Sequence, residues 1–272
     1  MRKPYLTLFL LSIMIMSTIL VSNLQLGMAQ NGTQVGGIIT TDTTWTRANS
    51  PYTLTGPVGV KQDVVLTIEA GVIVNLDNFY IQVNGTLTAI GTSVDRIQFN
   101  NGRITFTQIS NGWNEQTSSG SIIQYAVFST TNFSPLAFNV LEVYSQVKID
   151  NNRLYGSHSV DYLILARAGV ISNNFLQADD CSGISVSGNA TISGNKISNG
   201  FTNLKVEGDA PTIVQNLIIS GTRGLSITNT AANKFTPYYH YVIPNPLIEN
   251  NTIVSNSYGI EIYAFNTGDP VN

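Results

Sequence analysis

The chain has one cysteine, Cys181, in 272 residues, so no intrachain disulfide can hold it together. Histidine is nearly as scarce. His158 and His240 are the only two, no Cys or His pair falls at metal-ligand spacing, and no metal site is expected. Charge is thin, at 11% of residues, and slightly acidic, with 13 Lys plus Arg against 16 Asp plus Glu for a net charge of −3. That balance argues against nucleic acid or an anionic membrane as partner. Neither a phosphate-cradling Gly loop nor a Ser nucleophile elbow occurs. The repeated half of the chain also lacks any apolar run with helical spacing long enough to matter. What abounds is Asn, Ser, Thr and Gly, which suits stacked strands joined by polar turns.

Those residues recur with a period. Ile149-x-x-Asn152-x-Leu154 returns as Ile171-x-x-Asn174-x-Leu176, Ile192-x-x-Asn195-x-Ile197, Ile213-x-x-Asn216-x-Ile218 and Ile248-x-x-Asn251-x-Ile253, with steps of 22, 21, 21 and 35. In phase with it run Leu163-x-Leu165, Gly183-Ile184-x-Val186, Asn203-Leu204-x-Val206, Gly224-Leu225-x-Ile227 and Gly259-Ile260-x-Ile262. Two columns sharing a period of about 21 residues mark a solenoid. Apolar residues two apart put both on one strand face, so each rung is a coil of short strands. A leucine-rich repeat would need its L-x-x-L-x-L consensus and a helical return, and neither is present. Inward Ile, Leu and Val stack into one core, each worth about 1.5–3 kcal/mol when buried. The Asn is expected to take the left-handed conformation at a bend, and stacked rungs align its amides into a ladder.

These motifs resemble the right-handed parallel β-helix repeat proteins of the pectin-lyase-like superfamily. Upstream, Val65-Leu66-Thr67-Ile68-Glu69-Ala70-Gly71-Val72-Ile73-Val74, Ile81 to Thr92 and Ile122 to Phe128 look like further rungs of exported archaeal and bacterial surface proteins. The resemblance implies an all-β, right-handed, single-stranded parallel β-helix over nearly the whole mature chain. It specifies activity hardly at all, because one scaffold hosts many functions.

Residues 1–29 read as a signal peptide: basic Arg2 and Lys3, apolar Leu6 to Val21, and Gly27-Met28-Ala29 before cleavage at Gln30. The alternative is an uncleaved anchor, although the apolar run is short for a membrane span. Either way the folded part is secreted or at the cell surface. Residues 1–29 carry two bases and no acids, so the mature chain has 11 bases against 16 acids, a net charge of −5. Residues 30–50 are expected as an N-terminal cap with Trp45 as its plug, and residues 51–272 as one β-helix domain. Either the tail from Tyr263 to Asn272 folds over the last rung as a cap, or the reading frame continues into more rungs, a catalytic face or a membrane anchor; the second is favoured, because the tail is a poor cover for an open sheet edge. Five N-x-[ST] sequons, at Asn31, Asn84, Asn132, Asn189 and Asn250, permit glycosylation without indicating it.

Candidate sites fall in turns and insertions. Residues 109–120 form a polar excursion containing Trp113. The larger insertion, Ala231 to Pro246, holds Tyr238, Tyr239, His240 and Tyr241, and Tyr238, Tyr239 and Tyr241 are candidates for stacking on sugar rings. Asp179-Asp180-Cys181 resembles the Asp-Asp-Cys of polygalacturonases, in which carboxylates protonate the leaving oxygen and activate water. His158 aligns one rung before Asp179, but the other motifs of that family are missing. Cys181 reads as a small buried residue at the start of a strand. A lyase would need clustered carboxylates holding Ca²⁺ beside an Arg or Lys. Its weak candidates are Arg153 and Lys196, two rungs apart with Phe175 between them. The expected function is that of a non-catalytic surface protein binding polysaccharide or a surface glycoprotein, without cofactor. The alternative is a polysaccharide lyase, with Ca²⁺, or a glycoside hydrolase acting on uronate-containing polysaccharide.

Overall fold

The computed structural model describes residues 32–130, 138–157, 160–228, 230–231, 241–242 and 244–263. They belong to the unit Gly32–Asn272. The segment read as a signal peptide, His158, the loop residues Tyr238, Tyr239 and His240, and the tail from 264 lie outside the described residues.

Strands of mostly three to six residues wind into a parallel β-solenoid. Each full coil passes through three sheets in turn. The first is a nine-stranded sheet running from Thr43–Trp45 to Leu247–Glu249. The second and third are two stacks within one eighteen-stranded sheet, joined because the long strand Tyr52–Val60 pairs with Ile73–Asn75 at its start and Tyr80–Val83 at its end. Among the described residues the only helical element is the 3₁₀ turn Arg47–Asn49.

The period read from the sequence is the register of the first sheet. Ile149, Ile171, Ile192, Ile213 and Ile248 are successive partners, and the first four are fully buried. Leu154, Leu176, Ile197, Ile218 and Ile253 stack the same way in the second sheet. In the third sheet one rung is shifted from the expected alignment. Ile164, not Leu163, pairs with Ile184, and Leu165 takes the outward place assigned to Ile164. Both Leu163 and Ile164 are buried, so two-residue alternation alone fits either register. The motif glycines serve close approach between coils. A Cβ on Gly183 would lie 2.3 Å from the Asn203 carbonyl oxygen, and one on Gly224 would lie 2.5 Å from that of Gly259.

Residues 33–39 and 43–45, within the segment read as a cap, are strands of the solenoid. Thr33–Ile39 pairs in parallel with Tyr52–Val60, with a bulge between Val35 and Gly37. Such a bulge, with Gly37 at φ 84°, disrupts an edge that would otherwise template further strands. Trp45 opens the first sheet, is buried, and stacks on Tyr52 at 4.9 Å between ring centroids.

The recurring asparagines behave differently from expectation. The left-handed residue is the one before each of them: Asn151, Asn173, Gly194, Gln215 and Asn250 have φ between 54° and 64°. That turn swings the next residue inward, where the corner between the first and second sheets leaves backbone groups unpaired. Asn152, Asn174, Asn195 and Asn216 are almost fully buried there. Asn174 Nδ2 donates to the Ile149 carbonyl at 2.9 Å and to Asn195 Oδ1 at 3.0 Å. Its Oδ1 accepts from the Asn152 backbone N–H and side-chain amide at 2.9 and 3.1 Å. The same pattern continues to Asn216 and Asn251. A shorter ladder at the next corner joins Asn203 to Asn256 at 3.0 Å.

Beside this ladder lies a carboxylate that no sequence motif marks. Asp150 is 6% exposed. Its Oδ1 accepts from Ser172 Oγ at 2.7 Å and Asn173 Nδ2 at 3.0 Å, and its Oδ2 from Gln124 Nε2 at 2.8 Å and Asn151 Nδ2 at 2.7 Å. Burial alone would raise its pKa, but these four hydrogen bonds outweigh it and hold the carboxyl below its ordinary value.

Two stability outcomes follow. Asn174→Ala strands a buried amide, a carbonyl and a neighbouring side chain, and is expected to cost about 2–3 kcal/mol in urea unfolding. An Asp150→Asn variant is expected to be less stable than the parent at pH 7. Because the folded pKa is depressed, the carboxylate's contribution is present above the unfolded pKa of about 3.9 and lost as pH falls through the folded value. The gap in unfolding midpoint should therefore close below about pH 4.

Candidate functional site

The weak catalytic candidates are dispersed. Arg153, Phe175 and Lys196 are successive outward partners in the second sheet, with the Lys196 ammonium 5.5 Å from the Phe175 ring centre. Asp179 sits in the turn after that sheet, its oxygens taken by Gln177 Nε2 at 2.6 Å and Asn199 Nδ2 at 2.9 Å. Asp180 is the left-handed residue of the same turn, with φ 60°. The third-sheet register pairs Tyr162 with Ser182, and the Ser182 N–H donates to the Asp161 carbonyl at 2.9 Å, so Asp161 adjoins this turn. Even so, among the described residues no three of His, Cys, Asp and Glu converge in a way that could hold a metal. Cys181 is buried, and that burial, reinforced by Asp179 and Asp180, pushes its thiol up to about 12. Of the tyrosine loop only a backbone hairpin is described, Thr230–Ala231 against Tyr241–Val242.

A more ordered array occupies the outer face of the third sheet. Gln82, Thr105, Glu142, Leu165, Ser185, Lys205, Ser226 and Glu261 form its central column. Rungs about 4.8 Å apart repeat along this face. Its carboxylates are already engaged. Glu142 accepts from Thr105 Oγ1 at 2.9 Å and Asn139 Nδ2 at 3.1 Å, with Arg103 at 3.7 Å. Glu207 pairs with Lys205, and Glu261 with Arg223 and Tyr263. Burial alone would lower the Lys205 pKa, but its bonds to Glu207 and Tyr162 outweigh that and raise it. A lysine so held stays charged and is a poor proton acceptor.

Three shallow grooves on this face are each lined by a cation and a tyrosine. The first, about 320 Å³, has Lys61, Tyr80, Gln82 and Asn84 in its lining. The second, about 470 Å³, has Tyr144 and Arg167, with the guanidinium 5.2 Å from the ring centre. The third, about 320 Å³, is lined by Tyr162, Lys205, Arg223 and Tyr263, among others. No carboxylate lines any of the three.

Residues 136–269 match the family model described as the right handed beta helix region. The fold is a right-handed parallel β-helix. No curated protein and no solved structure matches the chain significantly. The family match and the parallel solenoid are consistent with the resemblance to the pectin-lyase-like superfamily. On this β-helix the repeat motifs pass through the third sheet at Leu204, Leu225 and Ile260 but do not include the tyrosines and arginines of its outer face. Tyr144 and Arg167 lie outside both repeat motifs, and only the three-sheet register brings them together. The elevated pKa of Cys181 makes a direct expectation. In the native protein at pH 8 its thiol should resist iodoacetamide, and become alkylated within minutes once the chain is unfolded in guanidinium. Rapid alkylation of the native protein would contradict the burial described.

Proposed function

We propose that this β-helix is an exported, non-catalytic surface protein that holds a uronate-containing polysaccharide along the outer face of its third sheet. The observation that supports this is that three grooves along this face are each lined by a cation and a tyrosine and by no carboxylate. Uronate carboxylates suit the Lys and Arg positions, and sugar rings suit the tyrosine faces. The acidic net charge does not oppose this, because contact is made with local groups and bulk charge is screened beyond about 8–10 Å in salt. Export rests on the segment from Arg2 to Ala29. Tyr238, Tyr239 and Tyr241 belong to the same reading, since their loop leaves the coil after Thr228, which lines the third groove.

The test is retention of the full chain on immobilised polygalacturonate and alginate, with ultraviolet absorbance of unsaturated uronates and new reducing ends followed in parallel. Retention without product is expected. Arg167→Ala and Lys205→Ala should each weaken it about fivefold, near 1 kcal/mol per contact. Tyr239→Ala should weaken it as well. Product, with or without Ca²⁺, would replace this reading with that of a lyase or hydrolase.

A further inference from the structure

The excursion at residues 109–120 builds a second cleft on a different sheet. It leaves the coil after the third-sheet strand Arg103–Phe106 and returns at the first-sheet strand Ile122–Gln124, lengthening the step from Ala89 to its partner Ile123 to 34 residues. One side is fastened to an earlier coil, where Asn111 N–H donates to the Gly85 carbonyl and Asn111 Nδ2 to Thr86 Oγ1, both at 2.9 Å. The other side is fastened to a later coil, where Trp113 N–H donates to the Gln146 carbonyl and Glu115 pairs with Lys148 at 2.7 Å. The tip is braced by reciprocal backbone bonds between Asn114 and Ser119. Asn114 Oδ1 also accepts the backbone N–H groups of Gln116 and Thr117 at 2.9 and 3.1 Å. The excursion is thus tied at both ends and across its tip, so little ordering remains for a ligand to impose.

Between it and the outward side chains Thr88 and Ile90 lies a cleft of about 600 Å³, the size of a small-molecule site. Its lining differs from that of the third-sheet grooves in one respect that decides the ligand. All twelve lining residues are uncharged. The nearest ion pair is closed on itself, since the Lys148 ammonium is bonded to Glu115 and sits 5.4 Å from the Trp113 ring centre. Bonding to Lys148 and the adjacent Trp113 hold the Glu115 carboxyl below its ordinary value, so the pair stays ionised and mutually compensated. The lining also mixes one large aromatic ring with the hydroxyls and amides of Thr88, Asn111, Asn114 and Ser118. A wholly apolar ligand would take water from the Thr88 and Ser118 hydroxyls and offer no hydrogen bond in return. An anionic one would find no free cation.

We infer that this cleft binds an uncharged sugar ring, with Trp113 taking its apolar face and the surrounding amides and hydroxyls taking its hydroxyl groups. The site is independent of the acidic-polysaccharide face, and its failure would leave that reading intact. Trp113 also supplies the readout. The chain has only two tryptophans, and Trp45 is buried against Tyr52, so a ligand in the cleft reports through Trp113. Full chain titrated with xylotetraose, cellotetraose and mannotetraose should show a saturable shift in tryptophan emission with at least one, and little with trigalacturonate. Thr88→Arg, which fills the cleft from a strand and touches no loop hydrogen bond, should weaken that binding at least tenfold. Its circular dichroism and its retention on polygalacturonate should stay unchanged. The inference is overturned if no neutral oligosaccharide shifts the emission at millimolar concentration, if Thr88→Arg binds as tightly as the parent, or if only trigalacturonate acts.

Discussion

Every feature of this β-helix depends on the hydrogen bonds each coil makes to the coils before and after it. A parallel strand pair satisfies its backbone only while the strands run straight, and a three-sheet coil must turn corner after corner. At the corner between the first and second sheets the turn's polar groups face inward, where water does not reach. The Asn152 to Asn251 ladder resolves this, each amide oxygen accepting from a backbone N–H one coil earlier and each amide nitrogen donating to a carbonyl and, as far as Asn216, to the amide oxygen of the next coil. The amide is the right chemistry because it donates and accepts at once, and carries no charge that burial would penalise. Asp150, at the same corner, shows the costlier solution: a carboxylate accepts only, so four separate donors must converge on it.

That constraint also explains what was legible in the sequence. Residues fixed by contact with identical positions in adjoining coils repeat, and repetition can be read. The register of Ile149, Ile171, Ile192, Ile213 and Ile248 and the outward row Arg153, Phe175, Lys196 both follow from it. Errors arose where the period was locally broken. Two adjacent buried residues, Leu163 and Ile164, made the alternation ambiguous. The asparagine was assigned the left-handed turn because its type tolerates that conformation, although its neighbour takes it. Type preference says what a residue permits, whereas the coil decides which of two adjacent residues is used.

The site was less legible for the same physical reason. Stability selects the inward residues, and it selects them alike in every coil. Outward residues answer to whatever lies outside, so they need not repeat. Tyr144 on Arg167 and Arg103 between Tyr80 and Glu142 each occur once. Their association emerges only when residues some twenty to forty positions apart are set side by side by the register.

Insertions obey the same rule in reverse. A coil lengthened within a strand would lose its partners on both sides, so extra residues are tolerated only where no ladder runs. Both long excursions, the one bearing Trp113 and the one after Thr228, leave at the corner between the third and first sheets, which carries neither asparagine ladder. From there a loop can fold back over the third sheet or forward over the first. The Trp113 excursion goes forward, roofing an uncharged floor of Thr88 and Ile90, while the face behind it holds Tyr144 and Arg167 in a groove of its own. One corner thereby borders two surfaces of different charge, and the scaffold separates them without a second domain. The rigidity of the coils fixes their spacing, so a polymer carrying both acidic and neutral sugars would meet both surfaces in a set geometry.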